Sequence, residues 1–259
     1  MTRLRHEGAA LLLAVQFLTR LRLPAGIEFT PARQAGSVRH YPLVGVFIGA
    51  LGAGLFVVLS AVFGAPLSVL LTLAGVVCLT GALHEDGLAD TFDALGGAVP
   101  RERALVIMRD SRIGTYGVVA LLLVTSVKLL ALLALPPAWI PWLLVAGHAT
   151  SRTAVVSVMA CSRYVREDGA ASELAGRQPR SGLAFAGATA MCALAVVPLL
   201  MDTPPPAAAI LGAMIGLGLG AGLTWRWFQR RLGGYTGDCL GAVQQLSETG
   251  LYLGVAALY

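Results

Sequence analysis

Six stretches of the chain are apolar on every helical face: residues 43–63, 67–83, 114–135, 139–159, 183–201 and 207–225. A bilayer core about 30 Å thick is crossed by about 20 residues of helix. A helix without a polar stripe must be surrounded by lipid or protein. The pattern therefore predicts six membrane-crossing helices. A seventh run, from about 241 to 259, opens with Gln244, Gln245 and Glu248 and is a weaker candidate. Residues 8–22 make a short helix that ends on Arg20 and Arg22, which suits the membrane interface better than a crossing. Arg3 and Arg5 precede its apolar part, but no small-residue cleavage site follows, so a cleaved leader is not expected.

The connections are of two kinds. Gly64-Ala65-Pro66, Pro136-Pro137-Ala138 and the turn 202–206 are tight and contain no Lys or Arg. Segments 1–42, 84–113, 160–182 and 226–240 hold 17 of the 19 basic residues. Lys and Arg mark cytoplasmic loops. The expected architecture is an all-α, polytopic helical bundle, with about six to seven transmembrane helices in three hairpins plus the N-terminal interfacial helix. It would form a single integral membrane domain over 1–259, with working loops 84–113, 160–182 and 226–240 on the cytoplasmic face. Trp139, Trp142, Trp225 and Trp227 fall near span ends, as interfacial aromatics do. No internal sequence repeat accompanies the hairpin pattern.

Composition narrows the class further. The chain is 56% hydrophobic and 13% charged, against about 25% charged in soluble domains, and its mean hydropathy is +0.75. A soluble enzyme, a disordered chain and a disulfide scaffold are excluded. The net charge of +5 comes from residues spread over several loops, not from one basic patch with interleaved aromatics, so no nucleic-acid partner is expected. Cys78, Cys161, Cys192 and Cys239 lie far apart with no C-x-x-C pair, which argues against a metal knuckle.

The candidate chemistry starts where the second apolar run ends. Glu85, Asp86, Asp90 and Asp93 place four of the chain's 14 acidic residues within nine positions. On a helix, Asp86, Asp90 and Asp93 fall within about 60° of one another. Three carboxylates on one face repel unless a cation or arginines compensate. All-oxygen ligands favour Mg²⁺, or Mn²⁺, as the cofactor. The competing reading is a solvated acidic face or a structural ion-pair net. His84-Glu85 does not open a zinc-protease motif, because position 88 is Leu88 rather than His.

Basic groups complete the set. Arg109 and Arg112, three apart, have the spacing of a phosphate clamp, or serve only to orient the loop. Lys128 lies mid-span, and Arg152 lies one turn after His148. A charge at that depth costs about 2.5–3.5 kcal/mol on insertion scales, so each should meet an acidic residue of the cluster or an anionic substrate. The segment Gly233-Gly234-Tyr235-Thr236-Gly237-Asp238 offers close backbone approach to phosphate and a further carboxylate. Arg163 and Arg166, followed by Glu167, Asp168 and Gly169, form another mixed-charge loop.

Seven stretches together resemble the adenosylcobinamide-GDP ribazoletransferase, or cobalamin (5′-phosphate) synthase, family. They are F-L-T-R-L (17–21), Y-P-L-V-G (41–45), H-E-D-G-L-A-D-T-F-D-A (84–94), M-R-D-S-R-I-G-T-Y-G (108–117), S-R-T-A (151–154), R-Y-V-R-E-D-G (163–169) and G-G-Y-T-G-D-C-L-G-A (233–242). They recur in the family's order over most of the chain, and Glu85 and Phe92 stand at positions expected to vary. The resemblance implies a Mg²⁺-dependent membrane enzyme of late cobalamin synthesis. Such an enzyme joins adenosylcobinamide-GDP to α-ribazole, or its 5′-phosphate, and releases GMP. It also implies roles. Asp86, Asp90, Asp93 and Asp238 would hold the metal, and Arg109, Arg112 and Lys128 would neutralise the diphosphate. Asp93 or His84 would take the acceptor's proton. Arg152, Arg163, Arg166, Gly234, Thr236 and Gly237 would bind substrate. The small-molecule substrates and membrane lipid are the expected partners.

Two rival classes differ in visible features. A CDP-alcohol phosphotransferase motif needs an Arg after D-G-x-x-A and further aspartates, but Asp86-Gly87 is followed by Leu88-Ala89-Asp90. An ion-coupled transporter would use Lys128 and Arg152 as coupling charges, yet no acid lies deep in the first six runs. A membrane scaffold without catalysis would leave the acidic face unexplained.

Overall fold

The computed structural model describes residues 2–22, 30–166 and 180–259. Helices α1 (Thr2–Leu18) and α2 (Pro31–Ser37) precede α3 (Tyr41–Ser60), α4 (Ala65–Thr80), α5 (Leu83–Leu95) and α6 (Arg101–Ile107). Then come α7 (Thr115–Leu133), α8 (Ile140–Cys161), α9 (Arg180–Met191), α10 (Ala207–Leu232) and α11 (Gly237–Leu258). The all-α class expected from the sequence is what is found. Among the described residues the only extended pairing is one bridge between Tyr164 and Tyr235. Five helical runs are long and apolar enough to cross a membrane, or six if α4 and α5 are counted as one bent unit.

The second apolar run does not continue to Leu83 as one helix. Gly81 and Ala82 both take left-handed backbone angles, with φ of +66° and +58°, which ends α4. At Gly81 a side chain is disfavoured by that φ, and the Arg20 guanidinium lies against the open face the glycine leaves. The helix axis turns by 88°, so α5 leaves the apolar bundle and lies across its basic end. Two arginines fix it there. Arg231 of α10 donates to the carbonyls of Leu95, Gly97 and Val99 beyond the end of α5, at 3.0, 2.9 and 3.0 Å. Arg101 returns the contact, donating 2.8 Å to the Leu232 carbonyl at the end of α10. Each cation satisfies carbonyls that a helix end leaves unpaired.

The core is built around α11. Gly212, Gly216 and Gly220 of α10 lie against the α11 backbone so closely that a methyl group on any of them would overlap a carbonyl oxygen of Gly254, Gly250 or Leu246. Gly49 of α3 meets α8 similarly, with its missing Cβ 2.6 Å from the Leu144 carbonyl. Small residues permit such contacts where lipid provides no hydrophobic drive between helices. The three tight turns exist, but they do not set the packing. The main helix pairs are α10 with α11, α3 with α8 and α5 with α11, while α7 rests on α4, α5 and α11. The run 183–201 is a continuous helical stretch, long and apolar enough to cross, but not a regular α-helix throughout. After α9 it opens into a π turn over Cys192–Val196 and a 3₁₀ turn over Val197–Leu200, because Pro198 supplies no N–H and crowds the preceding turn. Polar side chains interrupt α11 between Val243 of one apolar cluster and Leu251 of the other. Gln244, Gln245 and Glu248 are all buried there, which is why this central helix reads as a weak span.

Candidate active site

The site begins where α5 crosses the first turn of α11. A Cβ on Gly87 would stand 2.8 Å from the Asp238 carbonyl oxygen, and one on Gly241 would stand 3.0 Å from that of His84. Only two glycines allow this approach, and it sets Asp86 and Asp90 beside Asp238. Burial pushes the Asp90 carboxyl up to about 7, helped by the negative fields of Asp238, Asp86 and Asp93, with Arg166 pulling the other way. Burial also raises Asp238, against the opposing bond from Arg166, whose Nη2 lies 2.7 Å from Asp238 Oδ2. A carboxyl group rises above its ordinary range when burial costs its charged form more than nearby cations return.

Among the described residues no three His, Cys, Asp or Glu side chains converge tightly enough to enclose an ion. Mg²⁺ does not need such a cage. It keeps several waters and usually takes one or two carboxylates together with substrate phosphate oxygens. The oxygen donors of Asp86, Asp90 and Asp238 fit an ion bound in that way.

Beside these carboxylates lies a cleft of about 900 Å³, bordered by Asp86, Gly237, Asp238, His84, Arg152 and Arg166, with Phe17, Tyr41 and Tyr164 as its aromatic wall. Arg152 is its most buried charged member, 1% exposed. Its Nη1 donates 3.0 Å to the His148 carbonyl, while Nε and Nη2 have no partner among the described residues. Arg166 Nε likewise has no partner among the described residues. Buried guanidinium donors without acceptors are costly, so the cleft is set to receive an anion. A second, polar pit of about 740 Å³ shares Phe17, Leu83 and Asp86 with the cleft and reaches Arg20. Asp86 thus stands between two spaces.

The sequence-expected residues divide accordingly. His84, Asp86, Asp238, Arg152, Arg166 and Gly237 meet at the cleft, and Asp90 is in electrostatic reach of Asp86 and Asp238. Asp93 turns away: its Oδ2 accepts from Gly114 N at 2.7 Å and its Oδ1 from Gly117 N at 2.8 Å, anchoring the start of α7. Lys128 does not border the cleft and reaches the acidic cluster only through Gln245, which donates 2.9 Å to Glu85 Oε1. It lies 3.1 Å from Glu248 Oε1 and donates 2.8 Å to Gln245 Oε1. Arg112 is forked onto Asp110 of its own loop at 2.7 and 3.0 Å, and Arg109 is an exposed residue of the same loop; neither borders the cleft. Arg112 holds the Asp110 carboxyl down at about 2. Thr236 caps α11, accepting from Cys239 N at 3.3 Å. Gly234 packs on the Arg163 carbonyl, which accepts from Tyr235 N at 2.9 Å. The Arg163 side chain itself is exposed. Glu167, Asp168 and Gly169 lie outside the described residues.

The aromatic wall was not singled out from the sequence, and Gln244, Gln245 and Glu248 were read only as weakening the last apolar run. For Glu248 a signal was present, since an ionisable residue within an apolar run needs a partner, and Lys128 was an unmatched cation in another run.

Comparison with known proteins adds an independent line. The cobalamin-5-phosphate synthase family model matches residues 10–256. A protein of Leptothrix cholodnii, "Adenosylcobinamide-GDP ribazoletransferase", is 42% identical over 260 residues, covering 98% of this chain and 97% of the relative. Proteins with the same name from Ralstonia pickettii and Vibrio parahaemolyticus are 40% and 36% identical, each covering 99% of this chain and 98% and 95% of the relative. No solved structure matches the chain.

Proposed function

The chain belongs to the cobalamin-5-phosphate synthase family, and from that premise we propose that its cleft transfers the adenosylcobinamide phosphate of adenosylcobinamide-GDP to α-ribazole, or to α-ribazole 5′-phosphate, releasing GMP. The enzyme is a transferase of late cobalamin synthesis, in which the nucleotide loop is assembled. The observation that carries the finer reading is the arrangement of the cleft. Two acidic groups at the α5–α11 crossing, Asp86 and Asp238, border the cleft with two guanidinium groups that keep unclaimed donors, and Asp90 lies in electrostatic reach of both carboxylates.

In such a transfer the acceptor hydroxyl oxygen forms a bond to the cobinamide-side phosphorus, the bond from that phosphorus to the GMP oxygen breaks, and the hydroxyl proton passes to a base. Protein groups serve mainly to position the reactants and to stabilise spread negative charge. Arg152 and Arg166 supply donors to phosphate oxygens, with the planar fork suited to that contact. Asp86, Asp90 and Asp238 would hold Mg²⁺, which when bound withdraws charge from the diphosphate and its leaving group. His84 borders the cleft and is buried, so it can face a bound hydroxyl as the base. Phe17, Tyr41 and Tyr164 offer apolar and aromatic surface for the large organic parts of the substrates. The two spaces that meet at Asp86 suit a reaction between two substrates. The basic end of the bundle would face the cytoplasm of a prokaryotic cell, where nucleotide substrates are present.

The test is GMP release by purified, detergent-solubilised protein given adenosylcobinamide-GDP and α-ribazole, with and without Mg²⁺. Mg²⁺-dependent GMP matched by cobalamin product is expected, with loss of more than about 100-fold in Asp86→Asn and Asp90→Asn. Wild-type turnover and Mg²⁺ dependence in both variants would remove the metal assignment. No GMP from folded wild-type protein would remove the reaction.

A further inference from the structure

Glu248 lies in the middle of α11 with its side chain closed to solvent. Its carboxylate meets Lys128 Nζ at 3.1 Å and His148 Nδ1 at 3.3 Å. It accepts from Gln244 Nε2 at 2.6 Å and from the Tyr252 hydroxyl at 3.1 Å. Four contacts of this kind suit an ionised, acceptor-only group. A buried ion pair is weak evidence of stability, because apolar residues of similar volume often serve as well. Ionisable residues at membrane depth are by default tied to function. The mechanism above uses none of these side chains.

The network reaches the cleft through α8. His148 and Arg152 are one turn apart. With a proton on His148 Nδ1 facing Glu248, the Nη1 group of Arg152, 3.3 Å from that nitrogen, is left with the His148 carbonyl as its acceptor. Gln244 Nε2 also donates 3.1 Å to Ser151 Oγ, on the residue preceding Arg152. Glu248 and Glu85 are the carboxylates whose charge acts on Arg152, yet neither forms an ion pair with it among the described residues. A direct pair would occupy the donors. Balance at a distance leaves Nε and Nη2 unclaimed among the described residues, on a side chain that borders both the cleft and a smaller polar space lined by Glu85, Lys128 and Glu248.

We propose that Glu248 is a positioning residue of the transfer reaction. It does not reach the substrate, but through His148, Gln244 and Ser151 it balances and aims the Arg152 guanidinium so that the two unclaimed donors meet a phosphate oxygen in the cleft. Lys128 belongs to the same device as the counter-ion of Glu248. The inference rests on the phosphate-transfer reading of the cleft.

The experiment is a double-mutant cycle on the full-length protein in detergent, reading the affinity for inorganic pyrophosphate in the presence of Mg²⁺ by calorimetry. The forms are wild type, Glu248→Gln, Arg152→Lys and the double variant. Each single change is expected to weaken binding about tenfold, and the double variant should bind no more weakly than Arg152→Lys alone, since Glu248 acts through Arg152. Losses that multiply in the double variant would overturn the proposal. Because Glu248→Gln leaves Lys128 unbalanced, Glu248→Gln with Lys128→Met removes both charges, and its melting temperature reports on folding. That variant, folded and with wild-type pyrophosphate affinity, would also overturn it. Wild-type protein that binds no pyrophosphate would remove the phosphate cleft itself and this proposal with it, an outcome distinct from multiplying losses in protein that does bind.

Discussion

Gly87 of α5 and Gly241 of α11 touch backbone to backbone, each with its absent Cβ about 3 Å from the neighbouring helix (2.8 Å to the Asp238 carbonyl and 3.0 Å to the His84 carbonyl). This contact holds two carboxylates beside a third that lies some 150 residues later in the chain. A methyl group at Gly87 meets backbone, which cannot rotate away, so α5 must move. Gly87→Ala is expected to cost about 1–3 kcal/mol by overpacking and to lower turnover at least tenfold, although no chemical group is removed. Gly218→Ala on α10, where nothing lies within 4 Å, should change neither. Melting temperature and GMP release measured on both variants decide the matter. Undiminished turnover in Gly87→Ala would mean that the site does not depend on this crossing.

Asp93 offers a sharper separation of roles. α7 has no side-chain cap of its own at Gly114, and the Asp93 carboxylate supplies one from another helix. A negative charge at a helix N-terminus is favourable, and a lost cap costs about 1–2 kcal/mol. Asp93→Ala should therefore lower stability by that amount. Asp93→Asn keeps one acceptor and should fall less. Turnover in Asp93→Asn is expected to stay far above that of Asp86→Asn. Equal loss in the two variants would return Asp93 to the cation-binding or base set.

These cases mark where the sequence was legible. The apolar runs could be read because a span must be apolar on all faces, and the acidic motif because carboxylates at helical spacing repel without a partner. Arg152 was legible for the same reason, as a charge with nowhere to go. Asp93 was not separable from Asp86 and Asp90, since all three share a helical face and its partners are backbone N–H groups, which leave no trace in residue identity. The 88° turn at Gly81 and Ala82 was hidden because an alanine gives no signal for a left-handed angle. Lys128 was expected to meet an acid of the Glu85–Asp93 cluster or an anionic substrate. Its partner, Glu248, lies 120 positions on, and only the packing of α7 on α11 brings the two together.

The four cysteines give a test of the same crossing by a different route. Cys78, Cys161 and Cys192 are exposed, and Cys239 is buried. Burial pushes the Cys239 thiol up to about 11, against the opposing hydrogen bond from Thr236. A thiol that is both shielded and protonated does not react. N-ethylmaleimide near neutral pH should modify Cys161, at the loop end of α8, and spare Cys239 until the protein is unfolded, as read by mass spectrometry. Modification of Cys239 in folded protein would show that the start of α11 opens.

The raised Asp90 carboxyl predicts how stability depends on pH without a divalent cation. Its ordinary value is 3.8 and its folded value is about 7. Between those values the folded state keeps a proton that the unfolded chain has lost. Stability contributed by this group is present in full below about pH 4 and declines as pH rises towards about 7. Cation-free protein should melt at progressively lower temperature across that window, and Asp90→Asn should flatten the decline. A cation favours the ionised cluster, so Mg²⁺ should raise the melting temperature more at pH 8 than at pH 5.5. Its binding should release up to about one proton near pH 6, measurable by calorimetry in buffers of different ionisation enthalpy. Equal Mg²⁺ stabilisation at both pH values, with no proton released, would mean that the ion binds away from Asp90.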